Sequence, residues 1–187
     1  MYEVELKVRA DHGPVRERLA DLDARHAGAV VQTDTYYDAP HREFAETDEA
    51  LRIRRETPVE GDGQAYLTYK GPLVEEESKT REEAETPVGD ERAAADLLDG
   101  LGFEPAATVH KERDRYTIGE QTVTLDAVEG LGEFVEVERA VDSAEAIEPA
   151  REEASRLLVR LGLDPADGIR TSYLGLLLAT ENVDFSE

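Results

Sequence analysis

The sequence contains no cysteine, which excludes a disulfide frame and any thiolate metal site. It contains no run of about 18 apolar residues, so no membrane-spanning helix is expected. The longest apolar stretch, Leu174–Ala179, is short. A basic surplus is also missing: 21 lysines and arginines face 44 acids, for a net charge of -23. Binding to the outside of a nucleic acid duplex is therefore disfavoured, since nothing replaces the counterions. The chain enters strand-like sequence at once, leaving no room for a signal peptide, and a cytoplasmic location is expected.

Few aromatics (6%) and strong acidity can mark disorder. Against that stand 40% hydrophobic residues in a regular alternation. A length of 187 residues suits one domain or two small halves. An acidic, solvated surface over a well-patterned core reads as adaptation to high salt, with self-repulsion at low ionic strength. Lysine is scarce as well: only Lys7, Lys70, Lys79 and Lys111 occur. Three of these, Lys7, Lys70 and Lys111, fall on the charged faces of expected strands, where a compact ammonium differs from a guanidinium fork.

The first strand, around Glu3–Lys7, sets the pattern. Alternate side chains share a face, so Glu3, Glu5, Lys7 and Arg9 point one way, and Tyr2, Val4, Leu6 and Val8 the other. The spacing then predicts a helix over Pro14–His26, stopped by Gly28, and strands over Val30–Asp38, Ala50–Glu56 and Ala65–Lys70. Gly71-Pro72 ends the fourth strand, and an acidic loop, Val74–Ser78, follows. The second half repeats the order. A strand over Lys79–Thr86 precedes a helix from Pro87 to Leu101. Strands follow over Thr108–Ile118, Thr122–Val128 and Phe134–Ala140. Helices over Ser143–Leu161 and Thr171–Thr180 close the chain.

The charges on these strands sort by sign. Arg52 with Arg54, Lys111 with Arg113, and Lys70 are cationic. Glu3 with Glu5, Glu83 with Glu85, Glu136 with Glu138, and Asp126 are anionic. The opposite strand faces are apolar (Val4, Leu6, Leu51, Ile53, Leu67, Val123, Leu125, Val135, Val137), and amphipathic helices can cover them. The charges would then line the inside of an antiparallel barrel built from two half-sheets. An open α+β sheet with one wet face fits the same pattern. Enclosed charges need partners or a ligand. The ligand that answers both signs is a polyphosphate with a divalent metal: arginine and lysine hold phosphate oxygens, and paired carboxylates hold Mg²⁺ or Mn²⁺.

At these residues the chain resembles the CYTH superfamily, the triphosphate tunnel metalloenzymes. Glu3-x-Glu5-x-Lys7 matches its ExExK signature. The likeness continues through Arg52-x-Arg54, Lys70, Arg81, Lys111-x-Arg113, Asp126 and Glu136-x-Glu138. Asp34-Thr35-Tyr36-Tyr37-Asp38 and the segment Leu125–Glu138 look most like the class IV adenylyl cyclase branch. The resemblance implies one α+β domain over 1–187, with half-repeats of about 1–78 and 79–187. In it, a closed eight-stranded antiparallel barrel forms a triphosphate tunnel, with helices packed outside.

The resemblance also assigns roles. Glu3, Glu5, Asp126, Glu136 and Glu138 look like metal-side residues for Mg or Mn. Lys7, Arg52, Arg54, Lys70, Arg81, Lys111 and Arg113 look like phosphate-side residues, with Lys7, Lys70, Lys111 and Arg113 the expected catalytic groups. Glu83 and Glu85 are supporting residues that touch metal or orient basic neighbours. The implied activity is conversion of ATP to cyclic AMP and pyrophosphate. The alternatives are hydrolysis of an inorganic or organic triphosphate in the same tunnel, or polyphosphate or nucleotide binding without turnover. Neither nucleic acid nor membrane is an expected partner. Tyr173 reads as a packing residue at the tunnel end. Leu174, Leu176, Leu177 and Leu178 give the last helix an apolar surface, for tunnel closure or a homodimer contact.

Overall fold

The structure, a computed structural model, describes the backbone of residues 1–74 and 79–184 and side chains as far as Thr180. The acidic loop expected at Val74–Ser78 lies, apart from Val74, outside the described residues. Eight strands form the fold: β1 (Tyr2–Arg9), β2 (Arg25–Asp38), β3 (Ala50–Pro58), β4 (Gln64–Leu73), β5 (Arg81–Val88), β6 (Glu104–Ile118), β7 (Gln121–Val128) and β8 (Gly132–Val141). Five helices accompany them: α1 (His12–Asp21), the single turn α2 (Phe44–Thr47), α3 (Glu91–Gly100), α4 (Ile147–Arg160) and α5 (Tyr173–Asp184). The strands close into one antiparallel barrel in the order β1-β5-β4-β3-β2-β6-β7-β8.

The apolar strand faces point outward and are covered by helices. On α4, Ala150, Ala154, Leu157 and Leu158 are buried, a stripe at helical spacing. Together with Val15 and Leu19 of α1, Leu157 and Leu158 pack on Val8, Val123, Leu125, Val135 and Val137. Burying each such leucine or valine is worth roughly 1.5–3 kcal/mol. Leu98 of α3 packs on Leu51, Ile53 and Tyr37, with Phe44 of α2 beside them. Asp90 caps α3 by accepting from the Ala93 N–H at 3.0 Å, which sets its start beyond Pro87 and Val88. Those two residues belong to β5 instead.

α5 closes one end of the barrel. There the inward residues turn from charged to apolar: Tyr36, Val109, Val128 and Phe134 form a plug with Tyr173, and Leu174, Leu176 and Leu177 pack against it. The β7–β8 turn passes close beneath. Gly130 has φ +76°, and a Cβ there would lie 3.3 Å from Leu177 Cδ2. The position needs glycine for both its backbone and its clearance.

The largest departure from the sequence reading is β2. It starts at Arg25, inside the stretch read as helix, because α1 stops at Asp21 and Asp23 turns left-handed at φ 53°. Residues 25–38 then pair with nearly the whole of β6, through a register shift at His26/Gly28 where Gly28 has φ 120°. β4 likewise runs past Gly71-Pro72 by a register shift between Lys70 and Leu73. No helix among the described residues is long and apolar enough to cross a membrane.

Candidate active site

The inward faces of the strands enclose a cavity of about 200 Å³. It is lined by Glu3, Glu5 and Lys7 of β1, Arg52 and Arg54 of β3, Lys70 of β4, Arg81, Glu83 and Glu85 of β5, Lys111 and Arg113 of β6, and Glu136 and Glu138 of β8. One cavity thus gathers every metal-side, phosphate-side and supporting residue expected from the sequence except Asp126. That aspartate is fully buried behind Arg113.

The strand register explains how so much charge is tolerated. Lys7 lies opposite Glu136, Arg54 opposite Asp34, Lys70 opposite Glu83 and Arg113 opposite Asp126, so cross-strand neighbours attract. Two of these pairs become bidentate. Arg54 donates from Nε and Nη2 to the two carboxylate oxygens of Asp34, at 2.6 and 2.7 Å, and Arg52 adds a third donor at 3.3 Å. Arg113 donates from Nε and Nη2 to Asp126, at 2.6 and 2.5 Å, and also reaches Glu136 and Glu138. Such forks fix the guanidinium plane. Lys70 sits between Glu3 (2.5 Å) and Glu83 (2.8 Å). Arg81 donates to the backbone carbonyl of Asp48 at 2.5 Å and to its carboxylate at 2.6 Å.

One inward pair breaks the rule. Glu5 lies directly opposite Glu138 in the β1–β8 ladder, where like charges repel. With Glu136 these two carboxylates bring one oxygen each within 4.8 Å of one another. Burial, opposed by Arg113 but reinforced by Glu136, pushes the Glu138 carboxyl up to about 8. Burial and a hydrogen bond with Glu3 push Glu83 up to about 7. The oxygen-only donor set of Glu5, Glu136 and Glu138 suits a hard dication such as Mg²⁺ or Mn²⁺, and a bound dication would turn the repulsion into attraction. Glu3 stands apart from this triad. Although burial opposes ionisation, Lys70 holds its carboxyl well below the usual range.

On the cationic side, Lys111 pairs with Asp126 at 3.6 Å. Burial and the neighbouring Arg113 push its ammonium down to about 7. Lys79, read from sequence only as a strand start, also lines the cavity, and burial pushes it down to about 8. The sequence reading missed three further contributors. Asp34 braces two arginines. Asp48 holds Arg81. Glu56 accepts from Arg115 at 2.8 and 2.6 Å, an ion pair that holds its carboxyl down at about 2. Tyr173, read from the sequence as a packing residue at the tunnel end, is found there and also lines the cavity from α5. Alternation alone could have flagged Asp34 and Arg115, since both sit on inward positions of strands already recognised.

A closed barrel with carboxylates on one wall and cations on the other, capped by a helix, defines a tunnel-type domain. The CYTH domain matches residues 1–173, and the chain belongs to the CYTH family. It is 37% identical over 177 residues to the proposed adenylate cyclase MJ0240 of Methanocaldococcus jannaschii, covering 94% of this chain and 98% of that one. It is 31% identical over 167 residues to adenylate cyclase CyaB of Aeromonas hydrophila, covering 83% of each. Among solved structures, the PH1819 protein from Pyrococcus horikoshii OT3 superimposes with a TM-score of 0.88 at 40% identity, covering 95% of this chain and 99% of that one.

Proposed function

We propose that the protein is a metal-dependent enzyme acting on a triphosphate, of the adenylyl cyclase type. The supporting observation is one cavity holding the Glu5–Glu136–Glu138 triad beside a wall of lysine and arginine. Relatives named as adenylate cyclases favour ATP as substrate and cyclic AMP with pyrophosphate as products. In that reaction the ribose 3′-hydroxyl releases its proton and its oxygen bonds to the α-phosphorus as the bond from that phosphorus to the α,β-bridging oxygen breaks, and pyrophosphate leaves. Lys7, Arg52, Arg54, Lys70, Arg81, Lys111 and Arg113 hold the phosphate oxygens, with their geometry fixed by Asp34, Asp126 and Asp48. Catalysis of this kind is mostly positioning and electrostatic stabilisation. Glu5, Glu136 and Glu138 would hold the metal, while Glu3, paired with Lys70, and Asp126, paired with Arg113, brace the cations beside it. When bound, Mg²⁺ or Mn²⁺ activates the attacking oxygen and neutralises charge on the leaving pyrophosphate.

A second reading, hydrolysis of a triphosphate by water, draws support from the cavity itself. Its small volume and largely ionic lining suit the phosphate chain better than a whole nucleotide. Product analysis decides. Pure protein with ATP and Mg²⁺ or Mn²⁺ gives cyclic AMP and pyrophosphate in the first reading, and orthophosphate in the second. The same measurement on inorganic tripolyphosphate, GTP and thiamine triphosphate ranks the substrates. Tight binding of intact ligand with no metal-dependent product would reduce the protein to a binding module.

A further inference from the structure

Tyr173 is the first residue of α5, and its ring enters the barrel through the closed end. The ring lies tilted toward edge-on against Phe134, with centroids 5.0 Å apart. Two ammonium groups flank it: Lys7 Nζ at 4.4 Å from the ring centroid and Lys111 Nζ at 5.0 Å. An aromatic face attracts a cation, and more strongly where water is excluded. Both lysines are buried here. The ring therefore holds in place two cations of the phosphate wall, one from each half of the chain.

The hydroxyl is harder to explain by packing. Tyr173 is 6% exposed, and its phenol oxygen is buried without a hydrogen-bond partner. Buried phenols normally find one, because a stranded donor is costly. Burial, with Glu136 and Asp126 near, keeps the phenol well above its usual pKa, so it stays a neutral O–H donor. Phenylalanine would fill the same space against Phe134 with no stranded group. The turn that presents the residue is built with care: Ser172 Oγ accepts from the Gly175 N–H at 3.0 Å, and Leu174 and Leu177 anchor the helix behind it.

We propose that Tyr173 is a ligand-contacting and positioning residue of the tunnel: its ring fixes Lys7 and Lys111, and its hydroxyl donates to a phosphate oxygen of the bound triphosphate. The inference rests on the triphosphate reading above. It makes the start of α5 part of the binding site, so that docking of the helix and binding of the ligand reinforce each other.

Calorimetric titration with inorganic tripolyphosphate in EDTA tests this on the full chain, because binding to the cationic wall is then read without metal-dependent turnover. Tyr173→Phe keeps the ring and removes the donor. Its affinity should fall about tenfold or more, as expected for a lost hydrogen bond to a charged group, while its melting temperature holds or rises because the stranded hydroxyl is gone. Tyr173→Leu should bind about threefold more weakly still, for want of the ring face. Tyr173→Phe binding within twofold of the wild type would overturn the proposal, and so would a lowered melting temperature with unchanged affinity. A wild-type protein that binds no tripolyphosphate would instead overturn the triphosphate reading, and this inference with it. The Phe variant decides alone if the Leu variant does not fold.

Discussion

Glu5 and Glu138 face each other directly across the β1–β8 ladder. Among the described inward pairs they are the like-charged one, in a barrel that otherwise matches acid to base or to a neutral partner. The mismatch is tolerable if a cation sits between them.

Divalent metal should therefore stabilise the fold. At about 100 times its dissociation constant a ligand adds about 2.7 kcal/mol. Mn²⁺ or Mg²⁺ should raise the melting temperature of the wild type by several degrees. It should leave Glu5→Gln and Glu138→Gln almost unmoved. Equal shifts in all three proteins would remove the triad from consideration.

Without metal, Glu138 should act in the opposite sense. Its folded pKa is raised to about 8, whereas an unfolded glutamate titrates near about 4.3. Between those values the folded chain keeps a proton that the unfolded chain has lost. Stability is thus fully present below about 4.3 and declines as the pH rises through about 8. Glu138→Gln does not titrate. In EDTA its stability advantage over the wild type should grow as the pH rises from about 5 to about 8 and level off above that. A difference independent of pH would refute the assigned shift.

Asp126 separates a bracing role from a metal role. Its bidentate grip on Arg113 is buried, and removing one partner of such a pair costs about 3–5 kcal/mol. Asp126→Asn should be destabilised by about 3 kcal/mol in EDTA, as judged by urea unfolding. Unchanged stability combined with lost Mn²⁺ binding would return Asp126 to the metal side.

Much of this site was legible because a strand puts alternate residues on one face. Glu3, Glu5 and Lys7, or Glu136 and Glu138, could be assigned a common side from spacing alone, and the apolar alternates fixed which side was covered. What alternation cannot show is which partner each charge meets. Asp34 was visible only as part of an Asp-Thr-Tyr-Tyr-Asp segment, since its bond to Arg54 depends on the β2–β3 register. The length of β2 was hidden for a related reason: Arg25–Ala29 has no strong strand pattern and is extended by pairing with β6. Asp48 ends a single-turn helix, where periodicity carries no signal; Tyr173 could be placed at the tunnel end but its contacts with Lys7 and Lys111 could not.

The most direct test of the tunnel site is anomalous diffraction from crystals soaked with Mn²⁺ and inorganic tripolyphosphate. A manganese peak among Glu5, Glu136 and Glu138, with phosphate density against Arg52, Arg54 and Arg113, is the expected result. Manganese confined to the outer surface, with the cavity empty of phosphate, would contradict it.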